Sequence, residues 1–369
     1  MDNKKIRAIG AGILVAIWVV LTGFAWFGPV KEISESERRP LDQMPEISVE
    51  TILNGKFMGK FESFTLDQFP LRDTFRQIKS LFHYYVLNQA DNNDIYVTDG
   101  YAAKLEYPLN QNSVDYALEK FRFVYDKYLK DTGSTVFMTV VPDKGYYMAE
   151  ENGYLAMDYS AMFEAFDEGM PYATFVDLTD TLTGESYYRT DTHWRQEHLL
   201  GAADKLCQAM GVRPFEEESF TKTPVERPFY GVYYGQAALP MKPETLYIME
   251  NEILSQCKVY DLETNAYLDV YNMDMLQSKD LYDVFLSGAK SLLTIENPNA
   301  STDRELIIFR DSFGSSIAPL LVRDYAKVTL VDIRYLSSQM LDRFVEFHGQ
   351  DVLFLYSTLV LNSDTQRMR

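Results

Sequence analysis

Residues 306–314 read LIIFRDSFG, an apolar run that ends at a serine and continues into a helical pattern. An unbroken run of β-branched and aromatic residues bounded in this way is typical of a buried strand. In a parallel sheet, ligands bind at the carboxyl ends of the strands. Ser312 follows such an end, where its own N–H and the helix dipole can stabilise an oxyanion, so we predict that it is a nucleophile. The alternative is that Ser312 only caps the helix.

Strand and helix patterns alternate on both sides of this run. Apolar strand patterns occupy residues 134–141, 173–178, 327–333 and 352–356. Helical patterns occupy residues 154–166, 197–210, 315–324 and 336–347. This alternation predicts an α/β fold whose parallel sheet is flanked by helices on both faces. Short strand patterns with polar turns indicate a β-rich insertion at about 212–300. We therefore expect residues 51–369 to form one α/β domain that contains this insertion.

A second motif, at residues 188–194, reads YRTDTHW and holds one of only four histidines. A serine hydroxyl is a poor nucleophile until a base takes its proton, and the base needs a third group that fixes its tautomer. We predict that His193 is this base for Ser312 and that Asp191 is the third group. The alternative is that Asp191 caps the next helix and that His193 is an exposed side chain.

The sequence predicts no metal site and no cofactor. His193 and His198 are five residues apart, a spacing that puts them on different faces of a helix. Cys207 and Cys257 are the only cysteines, too few for a disulfide framework. Cys207 lies in an apolar helical pattern, which is typical of a buried free thiol.

Residues 1–29 predict a transmembrane signal anchor. Lys4, Lys5 and Arg7 precede an apolar run from Ala8 to Pro29, which is long enough to cross a bilayer as a helix of about 20 residues. The basic flank predicts a cytoplasmic amino terminus and an extracytoplasmic body. Because no good cleavage site follows, we predict that the anchor is retained, with a cleaved signal peptide as the alternative. Residues 30–50 are polar and contain proline, which indicates a juxtamembrane linker.

Composition restricts the partners of the chain. The sequence has 35 basic and 54 acidic residues, and its net charge of −19 makes nucleic acid and anionic lipid surfaces poor partners. Aromatic residues make up 14% of the chain. They indicate either a tyrosine-rich core and surface or a groove in which sugar rings stack on aromatic faces.

The two motifs resemble those of the DHHW family, which is similar to alginate O-acetyltransferase-like proteins with an SGNH-hydrolase-like domain. In those proteins an Asp-x-His-Trp motif supplies the acid and the base, and a later Asp-Ser-Phe supplies the nucleophile. Asp191, His193 and Ser312 match these positions. Thr192 stands where the family usually has its first histidine. Weaker matches are Phe69-Pro70-Leu71-Arg72, Val141-Pro142-Asp143-Lys144 and Phe229-Tyr230-Gly231.

Two further residues next to these motifs are expected to contact substrate. Trp194 would pack beside the ring of His193. Arg310 stands where SGNH-type proteins usually have the glycine of Gly-Asp-Ser. It would either crowd the oxyanion site or bind an anionic group of the substrate.

The resemblance implies a membrane-anchored extracytoplasmic serine O-acyltransferase or O-acylesterase that acts on a cell-surface polysaccharide, usually with acetyl as the acyl group. It also implies a partner, a multipass membrane-bound O-acyltransferase that delivers acyl groups from the cytoplasm. The alternative is a non-catalytic glycan-binding or scaffold protein of a polysaccharide modification or export system, which Arg310 slightly favours.

Overall fold

The computed structural model describes residues 3–34 and 36–369. Met1 and Asp2 of the predicted anchor and Glu35 of the predicted linker lie outside the described residues. The chain divides into two units, which are Met1–Asn92 with Gly235–Pro240, and Asn93–Tyr234 with Met241–Arg369.

The first unit is mainly helical. Its elements are α1 (Asn3–Phe27), β1 (Ile33–Ser34), β2 (Arg39–Pro40), α2 (Val49–Leu53), α3 (Lys56–Asp67) and α4 (Arg72–Tyr85). Within α1, the 22 residues Lys4–Ala25 have a mean hydropathy of 2.3, and none of this span is buried. It is therefore long and apolar enough to cross a membrane. The strands β1 and β2 form an antiparallel pair.

The second unit contains the remaining strands. They are β3 (Ile95–Thr98), β4 (Tyr101–Lys104), β5 (Thr135–Val141), β6 (Thr174–Phe175), β7 (Thr221–Pro224), β8 (Tyr247–Glu250), β9 (Lys258–Asp261), β10 (Ala266–Leu268), β11 (Leu292–Glu296), β12 (Glu305–Arg310), β13 (Lys327–Val331) and β14 (Asp351–Ser357). Eight of them form one sheet in the order β10-β9-β11-β13-β12-β14-β5-β6. The five strands from β13 to β6 are parallel, so the carboxyl ends of β12, β14 and β5 meet at the same edge.

Helices cover both faces of this sheet, as the sequence predicts. The remaining α-helices are α5 (Gln111–Val124), α6 (Lys144–Met148), α7 (Tyr159–Gly169), α8 (Leu200–Met210), α9 (Val232–Ala237), α10 (Glu252–Gln256), α11 (Gly314–Ile317) and α12 (Thr358–Leu361). Successive side chains of a strand point to opposite faces. Accordingly, Leu306 and Ile308 of β12 belong to the core that includes α8, while Ile307 and Phe309 belong to the core that includes α5 and α7.

The structure differs from the sequence pattern in three regions. The predicted helix at 336–347 is only a 3-10 helix, Ser338–Arg343. Of the predicted helix at 315–324, α11 covers three residues. It is followed by a 3-10 turn, Ala318–Leu321, in which Pro319 lacks the N–H of a continuing α-helix. Within residues 212–300, only β7 and β8 pair separately, whereas β9, β10 and β11 extend the central sheet as antiparallel strands. The sheet is therefore mixed and mostly parallel.

Candidate active site

Ser312 lies in a tight turn between β12 and α11, at the carboxyl edge of the sheet. The turn is held by the buried carboxylate of Asp311. Its Oδ1 accepts the N–H of Phe313 at 3.0 Å, and its Oδ2 accepts both the N–H and the hydroxyl of Ser357 at 2.7 Å. Because Ser357 is the last residue of β14, Asp311 fastens the Ser312 turn to the neighbouring strand.

His193 joins the two predicted motifs across 119 residues of sequence. Its Nε2 lies 2.8 Å from Ser312 Oγ, and its Nδ1 lies 2.6 Å from Asp191 Oδ1. A carboxylate only accepts hydrogen bonds, so this contact requires the proton on Nδ1 when the ring is neutral. Nε2 is then an acceptor for the Ser312 hydroxyl. The structure thus brings Asp191, His193 and Ser312 together in the order that the sequence predicts.

Asp191 is fully buried, and its carboxylate is held by backbone groups. Oδ1 also accepts the N–H of His193 at 3.0 Å, and Oδ2 accepts the N–H of Val232 at 2.8 Å. The backbone before Val232 comes so close that a Cβ on Gly231 would lie 2.2 Å from the Cβ of Asp191. Only glycine fits this approach. Sequence reasoning found Gly231 as a weak motif match and did not assign it this role.

The loop that leads into Asp191 is fixed by two further charged groups. Glu244 accepts the N–H groups of Arg189 and Thr190, both at 2.8 Å. On the other side, Lys144 Nζ donates to the carbonyl oxygens of Tyr188, at 2.8 Å, and of Ala102. Burial lowers the pKa of Lys144 to about 7, against the effect of nearby carboxylates. Lys144 belongs to one of the weak motif matches and Glu244 to none, and the sequence predicts neither role, because each depends on a contact between distant segments.

The ring of His193 stacks on Tyr282. The two ring centroids are 3.9 Å apart and the ring planes differ by 9°, while Phe313 packs against the imidazole at 5.1 Å. The Tyr282 hydroxyl donates to Ser316 Oγ at 2.7 Å. The expectation that Trp194 packs beside this ring is therefore corrected, because Tyr282 stacks there. Tyr282 lies in a short 3-10 turn, Leu281–Val284, that no motif marks.

Trp194 and Arg310 are both fully buried, so neither presents a surface to a substrate. Trp194 Nε1 donates to Ser316 Oγ at 2.8 Å and to the carbonyl oxygen of Phe313 at 3.1 Å, which fastens the two motifs together. The stem of Arg310 packs under the Ser312 turn, since a Cβ on Gly314 would lie 2.7 Å from its Cβ. The expectation that Trp194 and Arg310 contact a substrate is therefore corrected, because both side chains have structural roles.

Within residues 3–34 and 36–369, no cluster of three or more His, Cys, Asp and Glu side chains could hold a metal ion. Cys207 is a buried free thiol, as its helical pattern predicts, and burial raises its pKa to about 12. The chemistry that the site offers is that of a serine, a histidine and a carboxylate.

The mostly parallel sheet, flanked by helices and with these residues at its carboxyl edge, defines a mixed α/β fold of the class that the sequence predicts. The model of the DHHW protein family matches residues 155–331, which confirms the resemblance to that family. No curated protein matches the chain in sequence.

Solved structures share the fold at low sequence identity. A DHHW family protein from Eubacterium siraeum DSM 15702 has a TM-score of 0.59 and 21% identity, over 75% of this chain and 94% of its own. Bacillus cereus PatB1 with a sulfonyl adduct has a TM-score of 0.58 and 16% identity, over 74% of this chain and 98% of its own. PatB1 without the adduct gives a TM-score of 0.57 at the same identity, over 74% and 99% of the two chains.

Proposed function

We propose that this protein is a membrane-anchored extracytoplasmic serine O-acyltransferase or O-acylesterase that acts on a cell-surface polysaccharide, with acetyl as the acyl group. The observation that supports it is the bridging position of His193, 2.8 Å from Ser312 Oγ and 2.6 Å from Asp191. Both distances are within the range in which a base takes a proton from a nucleophile and is itself oriented by a carboxylate.

In the first step, Ser312 Oγ attacks the carbonyl carbon of an acyl ester while His193 Nε2 takes the hydroxyl proton. The negative charge develops on the former carbonyl oxygen, and the backbone N–H of Ser312 is our proposed donor to it. The N–H groups of Phe313 and Gly314 already donate to Asp311. When the tetrahedral intermediate collapses, His193 returns the proton to the leaving alcohol and the acyl group stays on Ser312.

In the second step, a hydroxyl of the acceptor sugar gives its proton to His193 and attacks the acyl carbon. Collapse of this intermediate releases Ser312, which regains the proton from His193. Water in place of the sugar hydroxyl gives an esterase. Asp191 keeps the Nδ1 proton in place throughout and stabilises the imidazolium, a role that its complete burial and backbone contacts support.

The rest of the proposal concerns location and partner. The apolar helix α1, which carries Lys4 and Lys5 in its first turn, supports a retained anchor with its amino terminus in the cytoplasm. An extracytoplasmic enzyme has no direct access to cytoplasmic acyl donors. We therefore propose that a multipass membrane-bound O-acyltransferase supplies its acyl groups.

A sulfonyl fluoride tests the nucleophile directly. PatB1 is described with a sulfonyl adduct, and such reagents form a sulfur–oxygen bond with an activated serine as fluoride leaves. We expect the full-length protein in detergent to gain one adduct by intact mass and to release acetate from p-nitrophenyl acetate. Ser312→Ala should gain none and lose at least about 10³-fold in turnover. Ser255→Ala, which changes an exposed serine of α10, is the control and should behave as wild type.

Two results would contradict the proposal. If Ser312→Ala keeps the wild-type activity, the nucleophile is another residue. If wild type neither reacts with the sulfonyl fluoride nor hydrolyses any acetyl ester, the non-catalytic glycan-binding alternative replaces the enzyme.

A further inference from the structure

A cavity of about 670 Å³ lies beside α6 and the beginning of α7. Its walls include Tyr107, Tyr146 and Tyr159, together with the carboxylates Glu150 and Asp158. We infer that this cavity is a subsite for the acceptor glycan and that it takes neutral or amino sugars rather than uronic acids. The choice of a glycan rests on the proposed function.

The wall of the cavity is hydrogen-bonded to the edge of the sheet that carries the nucleophile. Tyr159 in its wall donates to Asp143, at the carboxyl end of β5, at 3.0 Å. The other oxygen of Asp143 accepts a hydrogen bond from the hydroxyl of Thr358 at 2.7 Å. Ser357, which directly precedes Thr358, donates to Asp311 and so holds the Ser312 turn. Since β5 and β12 are separated only by β14, the two strand ends are two strand spacings, or about 10 Å, apart. The cavity wall is therefore linked to the Ser312 turn across the end of one intervening strand.

The aromatic walls of the cavity suit a sugar ring. Tyr107 is 57% exposed and Tyr146 is 38% exposed, although each is a large aromatic side chain that folding normally covers. Tyr146 is held edge-on by Tyr159, with ring centroids 5.2 Å apart and planes at 89°, so it has a fixed orientation. A rigid aromatic ring provides a flat apolar surface for the C–H face of a sugar, and the phenol hydroxyl can meet a sugar hydroxyl. The volume is within the usual range for small-ligand sites.

The charge of the cavity selects among sugars. Glu150 and Asp158 contribute carboxylates, and none of the described residues that line the cavity is a lysine or an arginine. A uronic acid would bring a further negative charge to a site without a cation, in a protein with a net charge of −19. Neutral sugars avoid this repulsion, and the ammonium group of an amino sugar is attracted.

Binding of defined oligosaccharides to the full-length protein tests the inference. The probes are a tetramer of N-acetylglucosamine, its N-deacetylated cationic form and a tetramer of uronic acid, each titrated by calorimetry. We expect the first two to bind and the uronic acid tetramer not to bind. Tyr107→Ala and Tyr146→Ala should each weaken binding about tenfold, since a stacked ring contributes roughly 1 kcal/mol or more. Tyr267→Ala, which removes a tyrosine of β10 that is 59% exposed, is the matched control and should not change it.

A charge reversal gives a second, independent readout. Glu150→Lys should allow the uronic acid tetramer to bind and should weaken binding of the cationic tetramer, because it replaces repulsion by attraction. A gain of binding cannot result from misfolding. The inference is overturned if the uronic acid tetramer binds best to wild type, if none of the probes binds, or if both tyrosine variants bind as wild type does.

These outcomes are separable from those of the proposed function. Release of acetate from p-nitrophenyl acetate requires the nucleophile but no glycan. If that activity is present and no probe binds, the subsite is wrong and the enzyme proposal remains. If the probes bind as expected and no ester is cleaved, the subsite remains and the protein is a glycan-binding protein.

Discussion

His193 is held by four neighbours of different chemistry. Asp191 and Ser312 contact its two ring nitrogens, while Tyr282 and Phe313 pack on its ring. The hydrogen bonds set the tautomer, whereas the nearly parallel stack on Tyr282 restricts the ring from tilting out of line with Ser312. Geometric precision of this kind contributes strongly to catalysis, because small displacements of a reacting group cost large factors in rate.

Substitutions at Tyr282 separate the stack from the hydroxyl. Tyr282→Phe keeps the aromatic ring and loses only the hydrogen bond to Ser316, so kcat for p-nitrophenyl acetate should change by less than about threefold. Tyr282→Leu removes the ring, and kcat should fall about tenfold or more with a smaller effect on KM. Equal activity of the leucine variant and wild type would show that the hydrogen bonds alone orient His193.

The sequence predicted the three residues that meet at His193 better than the residues that surround them. Asp191, His193 and Ser312 could be found because each is a rare or chemically distinctive residue next to a strand or helix boundary. Tyr282 is one of 26 tyrosines, and its position beside His193 depends on the path of residues 270–290, which have no regular periodicity. Trp194 was assigned to the substrate because it is next to His193 in sequence, but successive residues point in different directions and its side chain enters the core.

At the scale of elements, the site is assembled from backbone segments that approach one another closely. The Ser312 turn is fastened to β14 through Asp311, and the segment at Gly231 and Val232 lies against Asp191. The alternation of apolar strands and helices was sufficient to predict the central strands and the edge at which the site lies. It failed for short elements such as α11 and for the pairing of β9 to β11, because three to five residues carry too little periodicity.

The approach at Gly231 leads to a specific prediction. In Gly231→Ala the new methyl group would lie 2.2 Å from the Asp191 Cβ and 2.3 Å from the Thr190 carbonyl oxygen, so one of the two segments must move. We expect kcat/KM for p-nitrophenyl acetate to fall more than about tenfold, with a lower melting temperature. Gly59→Ala in α3, where no heavy atom lies within 4 Å of the new Cβ, is the control and should keep full activity. Full activity of Gly231→Ala would mean that the contact does not position Asp191.

At the scale of the whole molecule, the amino-terminal helix, and not the net charge, is the feature that could hold the protein at a membrane. The net charge of −19 opposes binding to anionic surfaces, so electrostatic attraction to a membrane is not expected to hold the protein there. An apolar helix such as α1 needs no such attraction, because burial of its side chains in lipid is enough. The division into residues 1–29, 30–50 and 51–369 stays a prediction, as does the retention of the anchor.

The orientation of the chain can be measured with reporters fused after Arg369. Lys4, Lys5 and Arg7 lie at the amino-terminal end of α1, before the uncharged run that begins at Ala8. The positive-inside bias therefore predicts a cytoplasmic amino terminus and a carboxyl terminus outside. We expect alkaline phosphatase, which is active only after export, to be active in this fusion and to remain in the membrane fraction after high-salt washing.

Replacement of all three basic residues by glutamate should reduce export, because it removes the bias without shortening the apolar helix. Activity of a reporter that works only in the cytoplasm, fused to the unsubstituted protein, would show that the orientation is the opposite of the predicted one. Phosphatase activity in the soluble fraction would show that the anchor is cleaved. The second result would leave the proposed chemistry of Ser312 intact, since the helix α1 and the α/β unit belong to different units of the fold.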